Sequence, residues 1–395
     1  MHINFHAMKL RKYVEGLVSV IAPDLEEYKV GRHVEPAWAP VFYNPRMSLS
    51  RDVGVAVVAA FARDTRGSPL IVEPLSATGV RGLRYLVEGA PHARLILNDI
   101  DPLAYQLMRI NVAENRVGSR VAVLNTDARL LLDFLAMKGF KADIVDLDPF
   151  GSPAPFIEPA IRVVRNGGLL CATATDLPPL IGIYPDTCLR KYGSRSMRTE
   201  YSLEVGARIL LAYIAREAGK FGRYIEPMLT QATDHYIRVC VKLRRSRKKA
   251  VRQLKELKLA LHCRKCLYRG LALPGETLSK CPVCGHGLDS VGPVWGGELW
   301  CSSFLDRVIQ EYRMRQYLSK RGLRILNLMR REVGAPPLYY RVDTLSGHYR
   351  LAEEPSPHSV VERLKREGIE ASLTHFDPKG FRCSLSPPEI VRYYF

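Results

Sequence analysis

Four of the nine cysteines in this chain have the spacing of metal ligands. Cys263 and Cys266 are separated by two residues, as are Cys281 and Cys284, with fourteen residues between the pairs. Four thiolates fill the tetrahedral shell that Zn2+ adopts at structural sites, with no position left open for a substrate. The spacing therefore predicts a structural zinc site, and the alternative is a degenerate pair of knuckles that keeps its fold without metal.

The other five cysteines are scattered along the chain at positions 171, 188, 240, 301 and 383. An odd total in a long chain argues against a disulfide framework. We therefore expect these five to be small, buried, apolar residues.

A second set of candidate residues consists of acids that follow successive apolar segments: Glu73, Asp99, Asp127 and Asp148. The carboxyl ends of parallel strands line the ligand crevice of an open α/β sheet. Four acids at four such ends predict a polar ligand spread along one edge of the sheet.

The loop after the first of these acids consists of small residues, Ser76 to Gly79, which let a ligand approach the backbone. Asp99 lies twenty residues beyond Gly79, where an acid is expected to bind ribose hydroxyls. The loop lacks the Gly-x-Gly-x-x-Gly pattern that a pyrophosphate needs, which counts against NAD. S-adenosylmethionine has a ribose and an adenine but no phosphate, and it tolerates this looser turn.

The fourth acid begins the sequence Asp148-Pro149-Phe150-Gly151. An exocyclic amine of a nucleobase is a poor nucleophile, because its lone pair is delocalised into the ring. A carboxylate on a rigid turn can accept the N–H and align the lone pair with a methyl carbon, and an adjacent aromatic ring can stack on the base. The alternative is an ordinary Asp-Pro turn with a buried phenylalanine.

The elements that must position these residues follow from the hydrophobic pattern. Short apolar runs alternate with helical stretches over the first 245 residues, as is typical of an α/β, Rossmann-like, mostly parallel sheet. The predicted strands are 69–72, 93–97, 120–124, 142–147 and 169–173, followed by an antiparallel terminal hairpin of 224–233 and 236–243. Helices are predicted over 82–89 and 102–115.

The net charge of +18 is unevenly distributed. Residues 1–245 carry a net +7, whereas residues 246–395 carry +11 in a much shorter segment. The basic run from Arg244 to Lys249 marks the predicted boundary between two domains, the second a smaller basic α+β domain that holds the cysteines. This balance favours a polyanionic partner, although a generic basic protein with solvated lysines and arginines is the alternative.

The sequence also bears on where in the cell the protein resides. Its longest apolar stretch, Val53 to Ala62, has ten residues and is too short to cross a bilayer. The first residues lack the charged and apolar regions of a secretion signal. We expect a cytoplasmic protein with no membrane association and no obligate protein partner.

These segments together resemble the archaeal form of the tRNA (guanine-26-N2)-dimethyltransferase family. The resemblance runs from about residue 40 almost to the end. It rests on residues 41–45 (VFYNP), 49–52 (LSRD), 75–82 (LSATGVRG), 98–99 (ND), 146–153 (DLDPFGSP) and 374–376 (THF), and on the cysteine spacing. It implies a class I methyltransferase domain over 1–245 and a tRNA-binding domain over 246–395. The implied reaction transfers one or two methyl groups from S-adenosylmethionine to N2 of guanine 26 in tRNA.

The resemblance also implies roles for individual residues. The implied cofactor contacts are Arg51, Arg81, Asp99, Asp127 and Ala128. Asp148 is implied as the acceptor of the amine proton, with Phe42 and Phe150 stacking on the guanine. Two arginines suit the methionine carboxylate, because a guanidinium can bind a carboxylate through two hydrogen bonds.

Two alternatives and one departure accompany this interpretation. The same residues could methylate another amine, such as adenine N6 or a guanine N2 of rRNA. From a different class, the chain could be an RNA-binding zinc protein with a vestigial methyltransferase fold. Ser50 stands where the family usually has asparagine, and we expect that change to affect a helix cap more than the chemistry.

Overall fold

The computed structural model describes residues 8–30, 33–65, 67–233, 235–276 and 279–394. Its strands are β1 (Leu10–Glu15), β2 (Val18–Pro23), β3 (Lys29–Val30), β4 (His33–Val34), β5 (Leu70–Glu73), β6 (Arg94–Asp99), β7 (Val121–Asn125), β8 (Ala142–Leu147), β9 (Val164–Ala174), β10 (Arg223–Thr233), β11 (Tyr236–Arg245), β12 (Lys258–His262), β13 (Arg269–Ala272), β14 (Asp289–Val294), β15 (Tyr340–Arg341), β16 (Ala371–Leu373) and β17 (Gly380–Cys383). Its α-helices are α1 (Ser48–Ala62), α2 (Val80–Arg84), α3 (Pro102–Glu114), α4 (Ala128–Met137), α5 (Ala154–Val163), α6 (Leu177–Leu180), α7 (Pro185–Tyr192), α8 (Ser202–Lys220), α9 (Arg247–Lys255), α10 (Ser302–Met314), α11 (Lys320–Glu332), α12 (Val342–Tyr349), α13 (Pro357–Arg366) and α14 (Pro387–Tyr394).

The largest sheet has seven strands in the order β10-β11-β9-β8-β5-β6-β7. β5 pairs in parallel with β6 and with β8, and β6 pairs in parallel with β7. β10 and β11 form an antiparallel hairpin that runs from Arg223 opposite Arg245 to Thr233 opposite Tyr236. The predicted Rossmann-like, mostly parallel sheet with an antiparallel hairpin is thereby confirmed, and the predicted strand 142–147 has the exact bounds of β8.

The main departure in the sheet concerns β9. The sequence placed Gly167 and Gly168 before a strand of five residues, whereas β9 begins at Val164 and includes both glycines. Gly167 adopts a positive φ of 78° inside the strand. A Cβ at Gly168 would lie 2.9 Å from the carbonyl oxygen of Asp143. The two glycines therefore allow the strand to continue with an unusual backbone rather than marking its start.

Two compact units divide the chain by packing. The first comprises Met1–Pro149, Pro155–Cys171 and Asp306–Arg324. In it, α1 is buried without interruption from Ser50 to Ala62, and small residues such as Gly54 let other elements approach closely. β5 is likewise buried over its last three residues, as expected for a central parallel strand covered on both faces.

The second unit comprises Phe150–Ala154, Ala172–Leu305 and Ile325–Phe395. It contains a sheet of order β13-β12-β14 and another of order β15-β17-β16. The latter packs its buried Phe381 and Tyr340 against Val360 and Leu364 of α13. The bounds of these units are defined by packing and differ from the boundary near residue 245 at which the net charge changes. The division into functional domains of 1–245 and 246–395 stays a prediction.

One expectation about the cysteines is wrong. Cys171 and Cys240 are disulfide-bonded, whereas both were expected to be free thiols that fill apolar space. Both are buried, as expected. Cys188 and Cys383 are buried and free, as predicted, while Cys301 is free but only half-buried.

Among the described helices, none combines the length and the apolar character that crossing a bilayer requires.

Candidate active site

The loop between β5 and α2 is held close to the end of β6. The Ser76 backbone N–H donates to the Asn98 carbonyl at 2.9 Å, and its hydroxyl donates to the Glu73 carbonyl at 2.7 Å. Gly79, directly before α2, adopts a positive φ of 76°. A glycine is required at that turn because a side chain disfavours this conformation, and the resulting loop exposes backbone to a ligand.

Asn98 joins three strand ends and is a residue whose role the sequence did not reveal. Its side-chain amide donates to the carbonyls of Pro74 and Thr126, each at 2.9 Å. Its side-chain oxygen accepts from the Thr126 N–H at 3.1 Å. This buried side chain fixes the ends of β5, β6 and β7 relative to one another, so the acids that follow them keep their places.

Asp99 lies at the end of β6 with one oxygen towards each neighbouring loop. Oδ2 accepts from the Ala77 N–H at 2.8 Å, and Oδ1 accepts from the Asp101 N–H at 3.0 Å. Burial raises the pKa of Asp99 above its ordinary value, although these backbone donors counteract it. A carboxylate has about four lone-pair sites, so Asp99 can accept ribose hydroxyls in addition to these two donors. The residues at this edge therefore fit a ribose-bearing cofactor.

Asp127 has a structural function that the sequence analysis did not assign. Its Oδ1 accepts from the Arg129 and Leu130 N–H groups at 2.8 and 3.0 Å and so caps the N-terminus of α4. Ala128 is the buried first residue of that helix. Both lie beside Asn125, whose side chain donates to the Asp99 carbonyl at 2.8 Å. The structure thus brings Asp127 and Ala128 to the same edge as Asp99.

Arg81 forms an ion pair with Asp148. Its Nε and Nη2 both donate to Oδ2 of Asp148, at 3.0 and 2.6 Å, and Nη2 also donates to the Ser50 hydroxyl at 3.3 Å. Arg81 is buried, whereas the Asp148 side chain keeps 23% of its surface exposed. Burial alone would lower the pKa of Arg81, but Asp148 and its neighbours raise it well above the ordinary value. The charged pair is therefore stable, with the carboxylate on the open side.

Ser50 does not cap a helix, which corrects the structural part of the expectation for this position. α1 begins at Ser48 after Met47, so Ser50 lies within the helix. Its fully buried side chain accepts a hydrogen bond from Arg81. The departure from the family's asparagine therefore affects a residue that supports the Arg81–Asp148 pair.

Arg51 lies in a buried ionic cluster that sequence reasoning missed. Its Nε and Nη2 donate to the two oxygens of Glu15, each at 2.5 Å, and Nη2 also donates to the Asn44 carbonyl at 3.0 Å. Glu15 also accepts from Arg84 at 3.0 Å. Burial alone would raise the pKa of Glu15, but the two arginines hold it below its ordinary value. Glu15 precedes every motif of the resemblance, so no local pattern marked it.

Arg84 completes this cluster from α2. It donates to Asp52 of α1 at 2.8 Å and forms two hydrogen bonds with Glu88, at 2.9 and 2.8 Å. Its side chain has no exposed surface. A charge in such a place is tolerated only when it is fully paired, and three carboxylates surround it here. The cluster fixes α1, α2 and β1 around Arg51.

The two aromatic candidates are both accessible. Phe42 is 37% exposed and Phe150 is 80% exposed. The alternative in which Phe150 is a buried residue of an ordinary turn is therefore wrong. Gly151, which follows it, has a positive φ of 103°, and its N–H donates to the Thr175 hydroxyl at 2.7 Å. That bond holds the turn that presents Phe150.

Glu73 does not face a ligand, contrary to the expectation for all four acids. It is 2% exposed, and its Oε2 accepts from the Gly82 N–H at 2.9 Å. A Cβ at Gly82 would lie 2.6 Å from that oxygen, so the close approach requires glycine there. Burial raises the pKa of Glu73 to about 8, although nearby Arg81 lowers it. The carboxyl is therefore protonated at neutral pH.

We expect Glu73→Gln to stabilise the protein increasingly as pH rises from about 5 to 8. The unfolded carboxyl ionises near its ordinary pKa, whereas the folded one must stay protonated up to about 8. The wild type therefore loses about 1.4 kcal/mol of stability per pH unit across that window, and glutamine does not titrate. Melting curves from pH 4.5 to 9 measure the difference. A gap in melting temperature that does not change with pH contradicts the protonation of Glu73.

The four candidate metal ligands meet in the second unit. Their sulfur atoms all lie within 4.8 Å of one another. Cys263 and Cys284 are 3.5 Å apart at sulfur, as are Cys266 and Cys281, so the short distances join one pair to the other. These separations exceed a disulfide bond and match the edges of a tetrahedron around one ion with bonds of about 2.3 Å. The donor set fits Zn2+.

A mostly parallel sheet, a small-residue loop after its central strand and acids at the following strand ends define a Rossmann-like methyltransferase. The sequence profile described as N2,N2-dimethylguanosine tRNA methyltransferase matches residues 19–394. The chain belongs to this family.

Similar proteins cover nearly the whole chain. The tRNA (guanine(26)-N(2))-dimethyltransferase of Saccharolobus solfataricus is 36% identical over 388 residues, which is 98% of each chain. The enzyme of the same name from Methanothermobacter thermautotrophicus is 34% identical over 95% of this chain and 96% of its own. The structure of Trm1 from Pyrococcus horikoshii with S-adenosyl-L-methionine is 30% identical, with a TM-score of 0.84, and covers 97% of this chain and 99% of that one.

Proposed function

We propose that this protein transfers one or two methyl groups from S-adenosylmethionine to the exocyclic N2 of guanine 26 in tRNA, in the cytoplasm, with Asp148 as the proton acceptor. The observation that carries the proposal is the Arg81–Asp148 pair, in which the buried arginine holds a partly exposed carboxylate. It lies at the end of a strand of the same sheet that presents Asp99. Family membership supplies the substrate class.

The proposed chemistry is an in-line displacement at a methyl carbon. S-adenosylmethionine supplies the electrophilic methyl group, attached to a positively charged sulfur. The guanine N2 lone pair forms the new N–C bond while the S–C bond breaks and its electrons stay on sulfur. Asp148 accepts a hydrogen bond from the amine and takes the proton that N2 loses, so the product amine is neutral. Phe42 and Phe150 would stack on the guanine faces and hold N2 in line.

The cofactor would lie along the edge formed by the β5–α2 loop and the ends of β6 and β7. Asp99 would bind the ribose hydroxyls, and Asp127 with the Ala128 backbone would bind the adenine amine. Arg51 and Arg81 would face the methionine carboxylate. Support is strongest for Asp99, because its oxygens sit beside the loop that must approach the cofactor.

We propose that residues 246–395 bind the tRNA. We also propose that the four-cysteine site in this segment binds zinc. This segment carries 26 lysines and arginines against 15 acids. Neutralising phosphates releases their counterions, which favours binding of RNA to such a surface. Four thiolates fill all four positions of Zn2+, so the metal would stabilise the fold and take no part in methyl transfer.

The test uses unmodified tRNA transcripts with radiolabelled S-adenosylmethionine, one carrying G26 and one carrying A26. We expect label in N2-methylguanosine or N2,N2-dimethylguanosine from the G26 transcript alone, after digestion to nucleosides. Label from both transcripts places the target at another guanine. Label in N6-methyladenosine or in rRNA identifies a different substrate. Cofactor binding without transfer to any of these RNAs supports the RNA-binding alternative.

A further inference from the structure

We propose that Tyr85, together with Asp146 behind it, is a positioning residue for the acceptor carboxylate. The Tyr85 hydroxyl would hold Arg81 in place, so that the guanidinium donates to one oxygen of Asp148. The other oxygen would then be available to the amine of the base. This inference rests on the proposed function and adds two residues to it.

The contacts form one continuous chain from the core to the open carboxylate. The Tyr85 hydroxyl donates to Oδ2 of Asp146 at 2.7 Å and accepts from Nη1 of Arg81 at 3.2 Å. Arg81 in turn places Nε and Nη2 on Asp148. The hydroxyl thus has its proton directed at Asp146 and its lone pair directed at Arg81. This polarity makes it a better acceptor for the guanidinium, because Asp146 draws the hydroxyl proton away.

The hydrogen bonds from Arg81 reach only one of the two carboxylate oxygens of Asp148. Both donors of Arg81 converge on Oδ2, at 3.0 and 2.6 Å. Within the part of the chain that the structure describes, no donor occupies Oδ1 of Asp148. A carboxylate with one oxygen fixed cannot rotate freely, so Oδ1 presents its lone pairs in one direction. That is the arrangement that a proton acceptor for a planar base amine requires.

Besides Tyr85 and Asp148, few polar groups contact Arg81. Of its remaining polar contacts, the Ser50 hydroxyl lies at 3.3 Å and the Glu73 carboxyl at 4.0 Å. The Glu73 carboxyl therefore lies beyond hydrogen-bonding distance of the guanidinium. Nη1 is therefore held by Tyr85, while Nη2 and Nε hold Asp148.

Close packing against α1 determines the position of the Tyr85 side chain. Tyr85 and Asp146 have no exposed surface. A Cβ at Gly54 of α1 would lie 2.5 Å from the Tyr85 hydroxyl oxygen and 2.9 Å from its Cε1. The absence of a side chain at Gly54 is thus what admits the tyrosine ring. Gly54, inside a buried helix, thus helps to place the Tyr85 hydroxyl group.

The proposed role differs from simple cofactor binding by Arg81. If Arg81 served only the methionine carboxylate, loosening it would weaken affinity for the cofactor and leave transfer at saturation unchanged. If it positions Asp148, loosening it lowers kcat more than it changes cofactor affinity. The two roles therefore separate in steady-state kinetics.

The experiment compares Tyr85→Phe and Gly54→Ala with the wild-type protein. Tyr85→Phe removes the hydroxyl, and Gly54→Ala keeps it but displaces the ring. We expect kcat for G26 transcripts to fall about tenfold or more in both variants, and Kd for S-adenosylmethionine to change by a clearly smaller factor than kcat. Calorimetry, melting curves and kinetics are measured on the same preparations.

Two matched controls account for the loss of a buried hydroxyl and the gain of a methyl group. Tyr312→Phe removes a hydroxyl that donates to the Ser319 carbonyl at 2.8 Å in the same unit. Gly118→Ala adds a Cβ whose nearest neighbour lies 3.8 Å away. We expect both controls to keep wild-type kcat.

Three results would overturn the proposal. Unchanged kcat in folded Tyr85→Phe shows that the hydroxyl does not position the acceptor, whatever Gly54→Ala does. A raised Kd for S-adenosylmethionine with unchanged kcat assigns Arg81 to the cofactor alone. An equal fall in kcat in Tyr312→Phe shows a general effect of stability. Failure of the proposed function is distinct from all three, since the wild-type protein itself then forms no methylated guanosine.

Discussion

Asp148→Asn is expected to lower kcat for methyl transfer to tRNA by about 10²- to 10⁴-fold, the range associated with loss of a positioned acid or base. Asparagine keeps the shape of the side chain and can still accept from Arg81, but it is far too weak a base to take the amine proton. Affinity for S-adenosylmethionine should stay within about twofold of wild type, because Asp148 is assigned to the base and not to the cofactor. Single-turnover kinetics and calorimetry measure the two quantities separately.

The matched control for this variant is Asp133→Asn. Asp133 lies on α4, forms an ion pair with Arg162 at 2.9 Å and is substantially exposed. The control loses the same charge at a surface where an ion pair contributes little, and we expect wild-type kinetics. Full activity of Asp148→Asn would show that another group accepts the proton. A large loss of cofactor affinity with retained transfer at saturation would assign Asp148 to the cofactor.

Cys263→Ser is expected to remove one equivalent of bound zinc and to lower the melting temperature of the protein. Metal binding is coupled to folding at structural sites, so loss of one thiolate costs several kcal/mol of stability. That loss corresponds to a shift on the order of 10 °C in a unit of this size. Elemental analysis measures the zinc, and calorimetric scans measure the transition. Affinity for S-adenosylmethionine should be unchanged, because the residues that we propose for the cofactor belong to the other unit.

Cys383→Ser is the control for the metal variant. Cys383 is buried in β17 of the same unit, and its thiol lies outside the four-sulfur cluster. The Cys383→Ser variant loses apolar contacts comparable to those lost in Cys263→Ser. We expect the zinc content of this control to equal that of the wild-type protein. Equal zinc content and equal melting in Cys263→Ser and wild type would remove the metal from the proposal.

Much of the fold could be predicted because its signals are local. β8 was predicted with exact bounds, since six largely apolar residues between a turn and an Asp-Pro sequence favour only one structure. The hairpin and the strands before Asp99 and Asp127 were predicted within two residues of their bounds. The cysteine cluster was equally local, because its two pairs carry their own spacing.

The sequence by itself therefore determined the class of sheet, the edge at which its acids gather and the family, all of which depend on short-range patterns. Only the tertiary structure decided which charges pair, since Arg51 meets Glu15 across 36 residues and Arg81 meets Asp148 across 67. It also decided that Glu73 is protonated in the core and that Tyr85 stands between Arg81 and Asp146. These facts depend on burial and on distances of a few ångströms between remote segments. The pattern of residues along a chain carries no such distances.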